Sequence, residues 1–314
     1  MSRQTENGAS EPASPTRLGG RTEAGTTSAG AAAQITAPKG RVTAAAVAGR
    51  KGATPLVCLT AYDAPTAEVI DPHCDVILVG DSVGMVVHGL PSTVGVTVDM
   101  MIMHAQAVMR GSKRALVVVD LPFGSYETGP EQAFETASRI LIETGAQAVK
   151  LESGRHAAEA ISYLVERGIP VMGHVGLRPQ AVHVSGFKAK GRNEGERAVI
   201  LEEAEATAKA GAFAIVVEGV AEELAREITD RIEPPTIGIG ASPHCDGQIL
   251  VTEDMLGVFE WTPKFVKRYA NLRQEMDQAV AAFADDVRGR RFPEPAQLYR
   301  FDGAPPRPPA KAVG

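Results

Sequence analysis

Along the chain, short runs rich in Val, Ile and Leu recur, separated by polar or helix-periodic segments. The runs are PLVCLTAY from Pro55, DVILVGD from Asp75, ALVVVDLP from Ala115 and QAVKLE from Gln147. They continue with PVMGHVG from Pro170, FAIVVEG from Phe213, TIGIGAS from Thr236 and QILV from Gln248. Near-continuous apolar runs of this length are what strands covered on both faces look like. Between them lie stretches such as GPEQAFETASRILIETGA, whose apolar residues fall at helical spacing before a glycine stop. Eight strands alternating with helices predict a parallel α/β fold, and the stretch from Thr54 to Phe292 has the length of a single (β/α)8 TIM barrel. An open doubly wound sheet is the rival architecture. Its nucleotide fingerprint is missing, because Gly238-Ile-Gly240 runs into Ala241-Ser242-Pro243 instead of a helix that opens with Gly.

The two ends of the chain depart from this pattern. Residues 1–50 are mostly Ala, Gly, Ser, Thr and Pro, without an aromatic residue or an apolar period. Such a stretch cannot bury enough surface to offset the entropy of ordering it, so it reads as a disordered extension. On that reading, a chain beginning near Arg50 should fold unaided. The extension has no apolar core for a secretory signal, and Glu6, Glu11 and Glu23 among Arg3, Arg17 and Arg21 argue against a transit peptide. Residues 293–314 read as a Pro-rich tail, which leaves 51–292 for the barrel.

Composition removes several classes. The 314 residues are 44% hydrophobic and 22% charged, ordinary for a soluble protein with a sizeable core. Thirty-two Lys and Arg against 38 Asp and Glu leave a net charge of −6, the wrong sign for a nucleic-acid binder. No apolar run approaches the roughly 18 residues that span a bilayer, so no membrane partner is expected. Cys58, Cys74 and Cys245 are too few and too scattered for a disulfide framework or a zinc knuckle, and a reducing, cytoplasmic location is expected.

The chemistry collects where the runs end. Asp63 and Asp81 follow the first two, Asp120 the third, and Lys150 and Glu152 surround the fourth. His174, Glu218 and Ser242 close later ones. In a parallel barrel all strand C-termini open on one face, where active sites sit. Carboxylates converging there call for a bound cation, and hard oxygen ligands without a His–Cys cluster point to Mg²⁺ before Zn²⁺. Taken singly, each Asp could instead be a turn former or a helix cap. The lone histidines His88, His104, His156 and His183 read as structural, the Met100–Met109 methionines as core filler, and Cys245 as an unreactive loop residue.

Nine segments, in order, are LTAYDAPTA, ILVGDSVGMVVHG, VVVDLPFGSY, AVKLESG, GHVGLRPQ, GFKAKGR, AGAFAIVVE, IGIGASPHCDGQILV and PKFVKRY. Together they closely resemble the ketopantoate hydroxymethyltransferase family from about Thr54 to Tyr269. The resemblance implies a (β/α)8 barrel that carries a one-carbon unit from 5,10-methylenetetrahydrofolate to the 2-oxo acid 3-methyl-2-oxobutanoate. One Mg²⁺ per subunit and a homodecamer are implied with it. Carried over by motif, Asp81 and Asp120 resemble the direct metal ligands and Glu152 the third acidic residue of that site. Asp81, Ser82, Asp120 and Lys150 line the oxo-acid site on this resemblance, Ser82 and Lys150 holding the carboxylate, and Glu218 resembles the proton acceptor. Ser153, Ser185 and Ser242 stand where Gly is usual, and none of them replaces an ionisable group.

This inventory suffices for the chemistry. A Lewis acid polarises the oxo-acid carbonyl and stabilises the enolate formed when C3 loses its proton, and Lys150 balances the carboxylate. Two rivals remain. One is another Mg²⁺-dependent oxo-acid barrel, of the phosphoenolpyruvate mutase and isocitrate lyase type, although the KKCGH-like motif of the lyase is missing. The other is a barrel that has lost catalysis, whose signature would be loss of Asp81, Asp120 or Glu218.

Overall fold

The structure is a computed structural model that describes residues 40–154, 157–299 and 301. In chain order its elements are α1 (Ala44–Ala48), β1 (Leu56–Thr60), α2 (Ala64–Ile70), β2 (Val76–Val79), α3 (Val83–Val86), α4 (Val98–Gly111), β3 (Leu116–Asp120) and α5 (Pro130–Thr144). Next come β4 (Ala148–Lys150), α6 (Ala157–Glu166), β5 (Val171–Gly176), α7 (Val182–Ser185), α8 (Glu194–Lys209), β6 (Ala214–Glu218) and α9 (Glu222–Arg231). The series ends with β7 (Thr236–Ile239), β8 (Gly247–Leu250), α10 (Thr252–Leu256) and α11 (Leu272–Arg288). The eight strands pair in parallel with their sequence neighbours, and β8 closes on β1 with Leu56 opposite Gly247.

The alternation of side chains across each strand builds two cores. Leu56, Cys58, Val76, Leu78, Leu116, Val118, Met172, Val216, Ile237 and Ile249 fill the barrel interior. Their neighbours Ile77, Val79, Val117, Val119, Val149, Val175, Ile215 and Val217 face outward under the helices. Both strand faces are covered, which is why the runs are apolar almost without interruption.

Three features differ from the sequence reading. First, residues 41–50 belong to the fold. Thr43 caps α1 by accepting from the Ala46 N–H, and Val47 and Val42 are buried in the interior cluster. Arg41 donates to the carbonyls of Ser112 and Ala115, and the Val42 N–H to that of Arg114. Two isolated valines carry no periodic signal, and the surface they cover comes from strands far along the chain. The expected disorder of residues 1–50 is therefore corrected for 41–50; residues 1–39, 302–314 and His156 lie outside the described residues. Second, no helix separates β7 from β8, so the strand–helix alternation lapses there. Third, α11 buries none of its residues against the barrel.

Candidate active site

The C-terminal ends of β2, β3 and β4 place Asp81, Asp120 and Lys150 side by side. Asp120 and Lys150 are direct partners in the strand register, and both are buried. The Asp81 N–H donates to Asp120 Oδ2 at 3.0 Å, which fixes the turn after β2 against the end of β3. Gly80 permits this approach, because a Cβ there would meet Ser82 Oγ at 2.8 Å and Asp120 Oδ2 at 3.5 Å. Neither Asp81 nor Asp120 caps a helix. Asp63 does, accepting from the Thr66 N–H at the start of α2.

Lys150 Nζ lies 2.9 Å from Asp120 Oδ1, an ion pair between two buried side chains. Burial lifts the Asp120 carboxyl to about 6 even though Lys150 pulls the other way. Burial likewise lifts Glu152 to about 8, against the N–H that Gln180 donates to it at 3.0 Å. Burial alone would favour a neutral Lys150, but Asp120, Asp81 and Glu152 reverse this and raise its pKa. Three carboxylates thus share one ammonium, a deficit of the size a divalent cation cancels. Among the described residues, no three carboxylate, thiolate or imidazole groups converge closely enough to chelate an ion by themselves. A hard cation held by two aspartates and completed by substrate and solvent fits this donor set.

Gln180 ties the acidic groups together, and sequence reasoning did not find it. Its Nε2 donates to Asp81 Oδ2 at 2.8 Å and to the Leu121 carbonyl at 2.9 Å, and its Oε1 accepts from the Tyr126 hydroxyl at 2.6 Å. The only available signal was an amide just after the β5 run, in GLRPQ. Tyr62 was missed as well: its hydroxyl lies 2.7 Å from Ser82 Oγ, while its carbonyl accepts from His104 Nδ1. His104 in turn pairs with His88 through their Nε2 atoms at 2.8 Å, so both have structural partners as expected.

The ends of β5 and β6 form the other part of the rim. His174 Nε2 is 3.2 Å from Glu218 Oε2, with the imidazole buried and the carboxylate partly open. His174 Nδ1 has no hydrogen-bond partner among the described residues. Burial, aided by Lys150, holds His174 below the usual imidazole range despite Glu218. Gly176 sits opposite Glu218 at φ +99°, where a Cβ would strike the Glu218 carbonyl at 2.3 Å, so only glycine fits. Ser242 is elsewhere, donating to Glu222 on α9, and Cys245 is buried beside Thr229.

Fold and site together define a parallel (β/α)8-barrel enzyme with an acidic pocket at the strand C-termini. The sequence profile of ketopantoate hydroxymethyltransferase matches residues 41–295, and the chain belongs to that family. A 3-methyl-2-oxobutanoate hydroxymethyltransferase from Phenylobacterium zucineum is 71% identical over 260 residues, 82% of this chain and 94% of that protein. The protein of the same name from Maricaulis maris is 65% identical, covering 84% of this chain and 96% of its own. A solved phosphonopyruvate hydrolase in complex with oxalate and Mg²⁺ shares the fold, with TM-score 0.53 at 12% identity over 82% of this chain and 91% of that one.

Proposed function

We infer that the chain joins the one-carbon unit of 5,10-methylenetetrahydrofolate, with water, to 3-methyl-2-oxobutanoate as a hydroxymethyl group, giving 2-dehydropantoate and tetrahydrofolate in pantothenate biosynthesis. The observation that carries this beyond family membership is the division of the rim. An acidic pair with a buried lysine lies on β2–β4, and an imidazole–carboxylate pair on β5 and β6.

Asp81 and Asp120 would hold Mg²⁺, with Glu152 acting through Gln180 or solvent; the bound cation supplies Lewis acidity to the oxo-acid carbonyl. Lys150, with its ammonium state reinforced by three carboxylates, and Ser82, oriented by Tyr62, hold the substrate carboxylate. Glu218 takes the C3 proton, and neutral His174 beside it positions the carboxylate without neutralising it. The carbon nucleophile so formed bonds to the methylene carbon of the folate, whose two C–N bonds break as tetrahydrofolate leaves with protons on its nitrogens, and water supplies the hydroxyl.

No helix among the described residues is long and apolar enough to cross a membrane. A cytoplasmic enzyme assembled as a homodecamer suits the face of α11, where Met276, Val280, Phe283 and Val287 are all exposed. The rival reading as a phosphoenolpyruvate mutase or isocitrate lyase type barrel rests on a shared fold at 12% identity, against 71% for the family relative. Ketopantoate formation by the purified chain should require both the folate and Mg²⁺. Turnover of the oxo acid without any folate would reject the transferase reading.

A further inference from the structure

Two imidazoles that the reaction described so far does not use meet between α3 and α4. His104 projects from α4, which is seated by its buried Met101, Ala105 and Val108 and capped by Thr97, the acceptor of the Met100 N–H. His88 follows α3, where its N–H donates to the Val83 carbonyl at 3.2 Å, and Gly89 turns the chain at φ +67°. The two Nε2 atoms lie 2.8 Å apart, with the ring planes at 80°. Only one proton fits between nitrogens at that spacing, so one Nε2 presents a bare lone pair. His104 is the one. Its Nδ1 lies 2.7 Å from the Tyr62 carbonyl, which can only accept, so the ring proton sits on Nδ1. A carbonyl on the far nitrogen fixes the tautomer in which Nε2 binds a metal. His88 is exposed and His104 half-buried, which leaves the pair open to ions from solvent.

We propose that His88 and His104 form a second cation site, which takes a divalent ion of the Zn²⁺ class through both Nε2 atoms with water completing the shell. Among the described residues no third carboxylate, thiolate or imidazole joins the pair, so solvent supplies the remaining ligands. Zn–N bonds of about 2.0–2.1 Å at a tetrahedral angle set the two nitrogens about 3.3 Å apart, so the pair opens by about 0.5 Å to admit the ion. The exposed His88 side chain provides that movement by rotating, while the Tyr62 carbonyl keeps His104 in place. The proton now between the nitrogens passes through solvent to His88 Nδ1, and both rings stay neutral. Imidazole nitrogens are poor donors for Mg²⁺, whereas the carboxylates of Asp81 and Asp120 suit it, so the two sites sort ions by ligand chemistry. Because α3 starts directly after Ser82, an ion held here ties the far end of that helix to α4.

Copper is the probe, because Cu²⁺ enters nitrogen sites more tightly than Zn²⁺ and its electron paramagnetic resonance spectrum counts the nitrogens bound. The full chain, cleared of other metals and supplied with excess Mg²⁺, should bind Cu²⁺ with superhyperfine splitting from two imidazoles. Excess Zn²⁺ should displace it. His88→Gln leaves the bond from His104 to Tyr62 in place, and it should abolish the two-nitrogen signal. In calorimetry the same variant should bind Zn²⁺ at least about ten-fold more weakly than the parent. His88→Cys should restore Zn²⁺ binding through a thiolate and an imidazole. A parent without the two-nitrogen signal would reduce the pair to a hydrogen bond between side chains. A signal that survives His88→Gln would place the ion on other histidines. Either result overturns the proposal.

Discussion

Glu218→Gln separates proton transfer from binding, because the Glu218 carboxylate pairs with His174 and lies on a strand apart from those that carry Asp81, Asp120 and Lys150. Substrate deuterated at C3 should lose its label to water in the parent. In the variant, exchange and turnover should fall together by about 10²–10⁴-fold with Mg²⁺ and oxo-acid affinity retained. Exchange at the parental rate would remove Glu218 from the proton step. Gln180→Leu probes the opposite part of the rim. It strips Asp81 of a hydrogen-bond donor and leaves the Tyr126 hydroxyl without its acceptor. The expected result is an Mg²⁺ affinity weaker by roughly 10–100-fold, the usual effect of losing a group that orients a ligand. An unchanged Mg²⁺ titration would mean that Asp81 needs no such support.

At the scale of elements, α1 is the piece whose importance runs against its composition. A chain starting at Arg50 loses Val42 and Val47 from the interior cluster, together with the hydrogen bonds of Arg41. Burying one valine contributes about 1.5–3 kcal/mol. A domain of this size shifts its Tm by roughly 2–4 °C per kcal/mol. The truncated chain should therefore melt on the order of 6–24 °C lower by differential scanning calorimetry. An unaltered Tm would show that α1 only rests on the barrel. The barrel itself was legible because its strands are short, doubly covered and evenly spaced. The missing helix between β7 and β8 was not, since a short polar connection reads the same whether or not a turn of helix forms in it.

For the whole molecule, the acidic site links stability to pH. Burial raises Glu152 to about 8 and Asp120 to about 6, against about 4.3 and 3.9 in an unfolded chain. The folded chain therefore holds these protons to higher pH than the unfolded one does. The stability they contribute is full near pH 4 and is lost as pH rises toward 8. A cation competes with these protons, so Mg²⁺ should raise the Tm of the chelator-treated protein more at pH 8.5 than at pH 5.5. Equal shifts at the two pH values would place the cation elsewhere. Assembly has its own test on α11, where Phe283→Asp puts a charge in the exposed apolar face. Light scattering should find smaller particles for this variant than for the parent, and particles of unchanged size would clear α11 of any part in assembly.

The sequence by itself determined the class of fold and the chemical residues at the strand ends. A strand buried on both faces must be apolar throughout, so any ionisable residue that ends it stands out. The motifs around Asp81, Asp120, Lys150, Glu152 and Glu218 were legible for that reason. Only the tertiary structure decided which of these side chains meet. Gln180 comes to Asp81 across 99 residues of chain, and Tyr62 to Ser82 across 20. Val47 lies against strands whose contribution to its burial no local period records. The pairing of His174 with Glu218 follows from two adjacent strands in register, with Gly176 opposite Glu218. Local pattern reports how one residue's neighbours in sequence share a face. Hydrogen-bond partners, burial and the electrostatics they impose are set by distances in space, and those exist only once the barrel has closed.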